Sequence, residues 1–346
     1  MFRPLALLTI AIALAAPAAA SAQSSSADQR AERAREAAEA RAERARDAAD
    51  AKAERARDKA DRDRDREAER EERNRSGALD TTVTFDARGS LTVSCPGGSV
   101  IVTGSDRNEI KVRARTESGA IRFSSNGTRA TLEPSSGRGC SDGRFELTVP
   151  TGTRLSASTW SGSVTVRGVH GEIEARAQSG DVKVNDAGDR LDVESLSGDV
   201  SIAGVKGETK VNTVSGDIAL SALRGDVVAE TVSGDVELRD VISKQIRVHT
   251  TSGEVGFNGP ILDAGRYEFN THSGTVTLGL PVDVGAELSV STFSGGIESD
   301  FPITLKAGEH GIGAAQAKRL SFTLGRGTAR IVVETFSGDI ALRRKR

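Results

Sequence analysis

The sequence predicts an all-β fold: a parallel β-helix, or β-solenoid, of 18-residue coils made of two nine-residue halves, preceded by a long charged α-helix. Three observations carry that reading. One short phrase recurs at a fixed period, at Ser161-Gly162-Ser163-Val164, Ser179-Gly180-Asp181-Val182, Ser197-Gly198-Asp199-Val200, Ser215-Gly216-Asp217-Ile218 and Ser233-Gly234-Asp235-Val236. A constant spacing of this length marks stacked units. Within each unit, apolar residues alternate with polar ones at period two, and the alternation repeats from unit to unit. Finally, only 3% of the 346 residues are aromatic, which suits a narrow core of repeated small aliphatics.

The chain opens with the pattern of a secretory signal, residues 1–22. Arg3 is a short basic region, Leu5 to Ala16 an apolar run, and Ala20-Ser21-Ala22 a small-residue cleavage site. The run falls short of the roughly 20 apolar residues that a membrane-spanning helix needs, so no transmembrane segment is expected. No cysteine stands just after the small-residue region, where Gln23 follows, so lipid anchoring is not expected. An exported protein is predicted, periplasmic or at the cell surface.

Residues 23–77 form a charged rod or spacer. From Asp28 to Arg75 there is no proline or glycine, and nearly everything is Ala, Arg, Glu, Asp or Lys. That composition favours helix. Alanines at 31, 34, 38, 42, 45, 49, 53, 56 and 60 step by three, four and four, an 11-residue repeat with little supercoil. A solitary helical spacer is the simplest reading; self-association through the alanine stripe is the alternative.

Residues 78–346 are read as the solenoid, with irregular first coils and cap at 78–158, regular coils at 159–256 and looser coils at 257–346. In the regular part Ile173, Leu191, Thr209 and Val227 form one file, and Ala175, Val193, Val211 and Ala229 the next. Opposite them stack Val164, Val182, Val200, Ile218 and Val236. Both sets are expected to face inward, and Glu174, Asp192 and Lys210 outward. An inserted loop is expected near Lys306 to Arg319, before strands at Leu320 to Leu324 and Arg330 to Thr335.

The net charge of −2 selects no partner and gives no ground for nucleic-acid binding. Cys95 and Cys140 are the two cysteines, and in an oxidising compartment a disulfide is the default expectation. Closing a loop of about 45 residues would contribute roughly 4 kcal/mol.

Three columns are candidates for chemistry. Asp181, Asp199, Asp217 and Asp235, continued by Glu254, could offer carboxylates to calcium. Calcium takes six to eight oxygens, however, and the second turns, such as Gly204-Val205-Lys206-Gly207, lack the acids to supply them. A turn-forming role is the stronger reading. The apolar residues before each Ser-Gly, namely Trp160, Leu196, Val214, Val232, Phe293 and Phe336, could form an exposed ribbon. The same position is apolar nine residues later, at Val169, Ala187, Val205, Leu223 and Val241, so they are expected to plug both ends of the core. Threonines 213, 231, 250, 271, 292 and 335 are expected to hydrogen-bond along the stack. His170, His249, His272 and His310 share no ligand spacing, and no catalytic motif or cofactor is implied.

Val149-Pro150-Thr151-Gly152-Thr153-Arg154-Leu155, leading into the repeats, resembles exported bacterial β-solenoid domains of unknown function labelled putative adhesins. So does the closing Gly325-Arg326-Gly327 with Ile331-Val332-Val333-Glu334-Thr335-Phe336-Ser337-Gly338-Asp339-Ile340. The resemblance covers roughly Leu79 to Leu342. It implies a right-handed β-helix-like fold and an extracytoplasmic place, and it supplies no catalytic residues.

The expected function is therefore a noncatalytic envelope or surface scaffold of the adhesin kind, facing envelope polysaccharide, another exported protein or a second copy. The alternatives are an envelope-stress regulatory partner and a polysaccharide-active enzyme. The last would need long loops around a groove of clustered carboxylates, which the tight halves between Gly162 and Gly253 do not leave room for.

Overall fold

The computed structural model describes residues 52, 55, 57–64, 77–116, 120–134, 143–302 and 318–345. The signal segment, most of the rod, Cys140 and most of the expected loop after Lys306 lie outside these. Met1–Arg70 and Glu71–Arg346 are separate compact units. In the first, residues 57–64 are helical and solvent-exposed, with Arg64 Nη1 3.4 Å from Asp61 Oδ1, an i,i+3 pair worth a few tenths of a kcal/mol.

The second unit is built of strands. It opens with β1 (Gly77–Thr84), β2 (Ser90–Ser105), β3 (Glu109–Thr116), β4 (Ile121–Ser125), β5 (Arg129–Pro134) and β6 (Gly143–Pro150). The long β2 belongs to two sheets, its first half parallel to β5 and its second half parallel to β6. The outermost pairings are antiparallel: β1 on β3, β3 on β6 and β4 on β5. The irregular first coils expected from the sequence are thus partly an antiparallel cap, which closes a parallel edge that would otherwise recruit other chains.

The repeats follow. β7 (Arg154–Ser161), β9 (Ile173–Ser179), β11 (Arg190–Ser197), β13 (Glu208–Ser215), β15 (Val227–Ser233), β17 (Gln245–Ser252) and β19 (Arg266–Ser273) form one parallel sheet. Between them in the chain, β8 (Val164–Arg167), β10 (Val182–Asn185), β12 (Val200–Ala203), β14 (Ile218–Ser221), β16 (Val236–Arg239), β18 (Val255–Asn258) and β20 (Val276–Leu280) form the second. Val164, Val182, Val200, Ile218, Val236 and Val255 lie in register and are buried. Leu191 pairs with Ile173 and Thr209, all three buried. This is a β-solenoid whose core lies between two sheets.

Glycine at the Ser-Gly corner is a packing requirement. Gly198 has φ +139°, and a Cβ there would lie 2.3 Å from the Gly180 carbonyl oxygen of the coil before. The corner's N–H groups continue the ladder, as Gly198 N–H donates to Ser215 O at 3.0 Å.

The last coils are out of sequence order. β21 (Ala286–Ser294), β22 (Ile297–Ser299), β23 (Lys318–Leu324), β24 (Ala329–Ser337) and β25 (Ile340–Arg344) close the chain. β24 lies between β19 and β21, and β25 between β20 and β22, all parallel. The C-terminal segment therefore fills a slot between two coils that precede it in the chain. β23 lies antiparallel on β21 and covers that end of its sheet.

Candidate interaction surface

The side chains before each Ser-Gly pair lie on the outside. Trp160 is 64% exposed, Val232 and Phe293 51%, Leu196 and Phe336 48%, and Val214 43%. The equivalent residues of the other corner, Val169, Ala187, Val205, Leu223 and Val241, are buried. The expectation that both sets plug the core is therefore wrong for the first. The reason is local: Val205 follows Gly204, whose φ of +72° turns the next side chain inward, and Asp186, Ala222 and Asp240 do the same before Ala187, Leu223 and Val241. At the Ser-Gly corner the strand runs on without that turn. Val193 and Ser195 point in, so Glu194 and Leu196 point out. Period-two alternation, extended one step beyond Ser195, is the sequence signal for this.

Strand register places Ser161, Ser179, Ser197, Ser215, Ser233, Ser252, Ser273, Ser337 and Ser294 in one file. The preceding residues, in the same spatial order, are Trp160, Gln178, Leu196, Val214, Val232, Thr251, His272, Phe336 and Phe293. The inserted β24 puts Phe336 between His272 and Phe293. Ring centroids are 4.8 Å apart for His272 and Phe336 (7° between planes) and 4.9 Å apart for Phe336 and Phe293 (4°). Both faces of the Phe336 ring are thus covered, by His272 on one side and Phe293 on the other.

On the corner side of this apolar file runs the acidic file. Asp181 Oδ1 accepts the N–H of Asp199 at 3.2 Å, Asp199 Oδ1 that of Asp217 at 3.0 Å, Asp217 Oδ1 that of Asp235 at 2.8 Å, and Asp235 Oδ1 that of Glu254 at 2.7 Å. Each carboxylate thus ties its turn to the next coil. Among the described residues no group of three or more His, Cys, Asp or Glu side chains is placed to hold a metal ion.

Four of the six threonines hydrogen-bond along the stack, as expected, but to the backbone of the neighbouring coil. Thr250, Thr271, Thr292 and Thr335 donate to glycine carbonyls of the corner, at 3.0–3.4 Å, rather than to one another. The hydroxyls of Thr213 and Thr231 are buried without a hydrogen-bond partner. Strand geometry accounts for this: a parallel pair holds equivalent hydroxyls a full strand spacing apart, about 4.8 Å, beyond hydrogen-bond reach.

On the sheet side of the apolar file stand Arg176, Glu194, Asn212, Glu230, His249, Asn270 and Glu334. Arg176 Nε donates to Glu194 at 2.9 Å and the guanidinium also meets Glu174, so its pKa is raised, chiefly by the Glu194 hydrogen bond. A shallow trough of about 420 Å³ lies over Asn270, His272, Phe336, Phe293, Glu334 and Arg319. A larger hollow of about 800 Å³ sits against β1 and β3 at the cap, where Arg113 pairs with Asp80 and Arg144 with Glu146. Of the histidines, His170 Nε2 lies 3.3 Å from Asp186 Oδ2, and His249 and His272 are exposed. Cys95 is buried; its expected partner Cys140 is outside the described residues. No helix among the described residues is long and apolar enough to cross a membrane.

A stacked parallel β-body with an apolar file along one corner defines the class of molecule. The chain belongs to the Toastrack DUF4097 family, whose profile matches residues 44–343. Similar solved structures include a putative cell adhesion protein from Clostridium sporogenes (10% identity, TM-score 0.23, 78% of this chain and 100% of that one). A putative adhesin from Bacteroides fragilis gives 11%, 0.34, 77% and 96%, and one from Parabacteroides distasonis 8%, 0.28, 78% and 97%. At such identities and TM-scores these likenesses carry no functional argument. No curated protein matches the sequence.

Proposed function

We propose that this protein is a noncatalytic, exported β-solenoid of the cell envelope or surface, a scaffold of the adhesin kind that binds through the apolar file. The signal pattern of residues 1–22 supports export. The file itself is the observation that carries the reading, because it exposes side chains that folding leaves unburied. Contiguous exposed apolar surface on a soluble body marks interaction sites. The disulfide between Cys95 and Cys140 belongs to the same proposal, as a clamp suited to an oxidising compartment.

Protease treatment of intact cells, paired with an attachment assay, tests it. Cleavage of the protein on intact cells and reduced attachment of a L196S/V214S/V232S strain are expected. Complete protection inside intact cells, with normal attachment of the deletion strain, would sink the adhesin reading.

A further inference from the structure

We propose that the apolar file is a docking seam for a basic amphipathic helix of a partner protein. The proposal rests on the noncatalytic binding reading above and adds the chemistry of the partner. Three features of the surface select that occupant.

The first is charge. The run Leu196, Val214 and Val232 is flanked on the corner side by Asp181, Asp199, Asp217, Asp235 and Glu254, and on the sheet side by Glu194 and Glu230. Of the nearby cations, Arg176 is already engaged by Glu174 and Glu194, and Lys183 and Lys210 stand one outward position further from the apolar run, leaving the acids in excess beside it. The hydrogen bonds to Asp181, Asp199, Asp217 and Asp235 come from neutral backbone N–H groups, so their charge stays uncompensated. An apolar stripe between rows of carboxylates complements an apolar stripe between rows of Lys or Arg. A second copy meeting file to file would bring like charges together, which disfavours it.

The second is spacing. Side chains of the file repeat at the strand spacing of about 4.8 Å, whereas helical turns repeat at about 5.4 Å and same-face residues of a strand at about 6.7 Å. Over four rungs a helix laid along the file drifts by about 2.4 Å and a strand by about 7.6 Å. Side-chain flexibility absorbs the former but not the latter.

The third is the backbone. Strands β9 to β17 hydrogen-bond on both sides to neighbouring coils. No free ladder edge runs along the file, so an added strand has nothing to pair with. A helix satisfies its own backbone and needs only side-chain contacts.

The test measures binding of a fluorescent 18-residue peptide of Leu and Lys in helical pattern to the full chain, against Leu/Gln and Leu/Glu peptides of the same pattern. The Leu/Lys peptide should bind at least tenfold more tightly than Leu/Gln, and Leu/Glu should not bind. Affinity should fall with salt, as expected for exposed charges. L196S/V214S/V232S should weaken binding tenfold or more. D199N/D217N/D235N should weaken it severalfold, part of the way to the Leu/Gln level, and make the salt dependence shallower, since Asp181, Glu254, Glu194 and Glu230 remain. Asn keeps the Oδ1 acceptor of each turn, so this variant tests charge with the ladder intact. Removing three acids at the opposite corner, D189N/D226N/D240N, should change nothing. Equal binding of Leu/Lys and Leu/Glu peptides, or unchanged affinity of the folded L196S/V214S/V232S chain, overturns the proposal. Peptide binding with normal cell attachment would instead sink the adhesin reading alone.

Discussion

At the scale of single residues, the two corners of each coil are held by opposite devices. Gly216 at the Ser-Gly corner has φ +147°, and a Cβ would meet the Gly198 carbonyl oxygen at 2.2 Å. Gly216→Ala should therefore force coils apart and cost roughly 2–4 kcal/mol, within the upper range for single substitutions. At the other corner Ala222 carries a left-handed φ of +54°, where Gly204 stands one coil earlier at +72°. Ala222→Gly relieves a strain of about 1 kcal/mol and should raise the unfolding midpoint. Urea titration of both variants checks the pair; equal and opposite signs reversed from these would mean that the corner geometry is wrong. Tyr267 is a third such position. Its hydroxyl donates to Ser243 O and accepts from Leu262 N–H, both at 2.8 Å, in a fully buried site. Burial raises its pKa, against the lowering effect of the Leu262 hydrogen bond. Tyr267→Phe strands both backbone groups and should destabilise by about 1–3 kcal/mol; a neutral result in the same titration would show that water replaces the hydroxyl.

At the scale of elements, the regular strands could be read from the sequence because period-two alternation and the fixed glycine period agree from Gly162 to Gly253. The files of Val182, Val200 and Ile218 on one side and of Leu191 and Val193 on the other are found where alternation puts them. Two things are harder to read. The exposure of Leu196 and Val214 follows from alternation carried one step past Ser195, but the apolar match at Val205 and Leu223 masks it, because composition does not record that a left-handed residue precedes the latter pair. The insertion of β24 and β25 was hidden because the terminal Ser337-Gly338-Asp339-Ile340 is as good a repeat as any other, so nothing local says which coil it joins. Its seat is marked instead by charges. Asp300 accepts the Arg344 N–H at 3.2 Å and the Arg343 guanidinium at 3.3 Å, and its pKa is lowered, first by the Arg344 bond and then by Arg343. Arg343 also donates to Glu298 at 2.6 Å. A carboxyl with a lowered folded-state pKa stabilises above its unfolded value of about 3.9 and loses that contribution as pH falls through the folded one. The protection of the Arg344 amide, its exchange relative to the intrinsic rate at the same pH, should consequently fall below about pH 4, and in Asp300→Asn should be lower at neutral pH and show no such fall; protection in the unaltered chain that stays constant through this range would exclude this tie.

At the scale of the whole β-body, the out-of-order insertion makes its two ends unequal. The regular coils are each paired with neighbours in sequence, so their contacts are local and can form progressively. The coil of β21 and β22 cannot complete its ladder until residues 329–344 arrive, since β24 and β25 supply its parallel partners. The same segment covers the far edges of β19 and β20. Without it, four strand edges face one another across an empty slot, and unpaired ladders of this kind recruit other chains. A chain ending at Arg326 should therefore keep the strand signature of the regular coils yet associate, with its aggregates growing with concentration. Removing Arg343 to Arg346 alone spares β24 and should leave the chain monodisperse. Light scattering at matched concentrations separates the cases. A monodisperse, fully stable chain ending at Arg326 would mean that β21 and β22 close directly onto β19 and β20, and that the terminal coil is an addition to the stack instead of the piece that seals it.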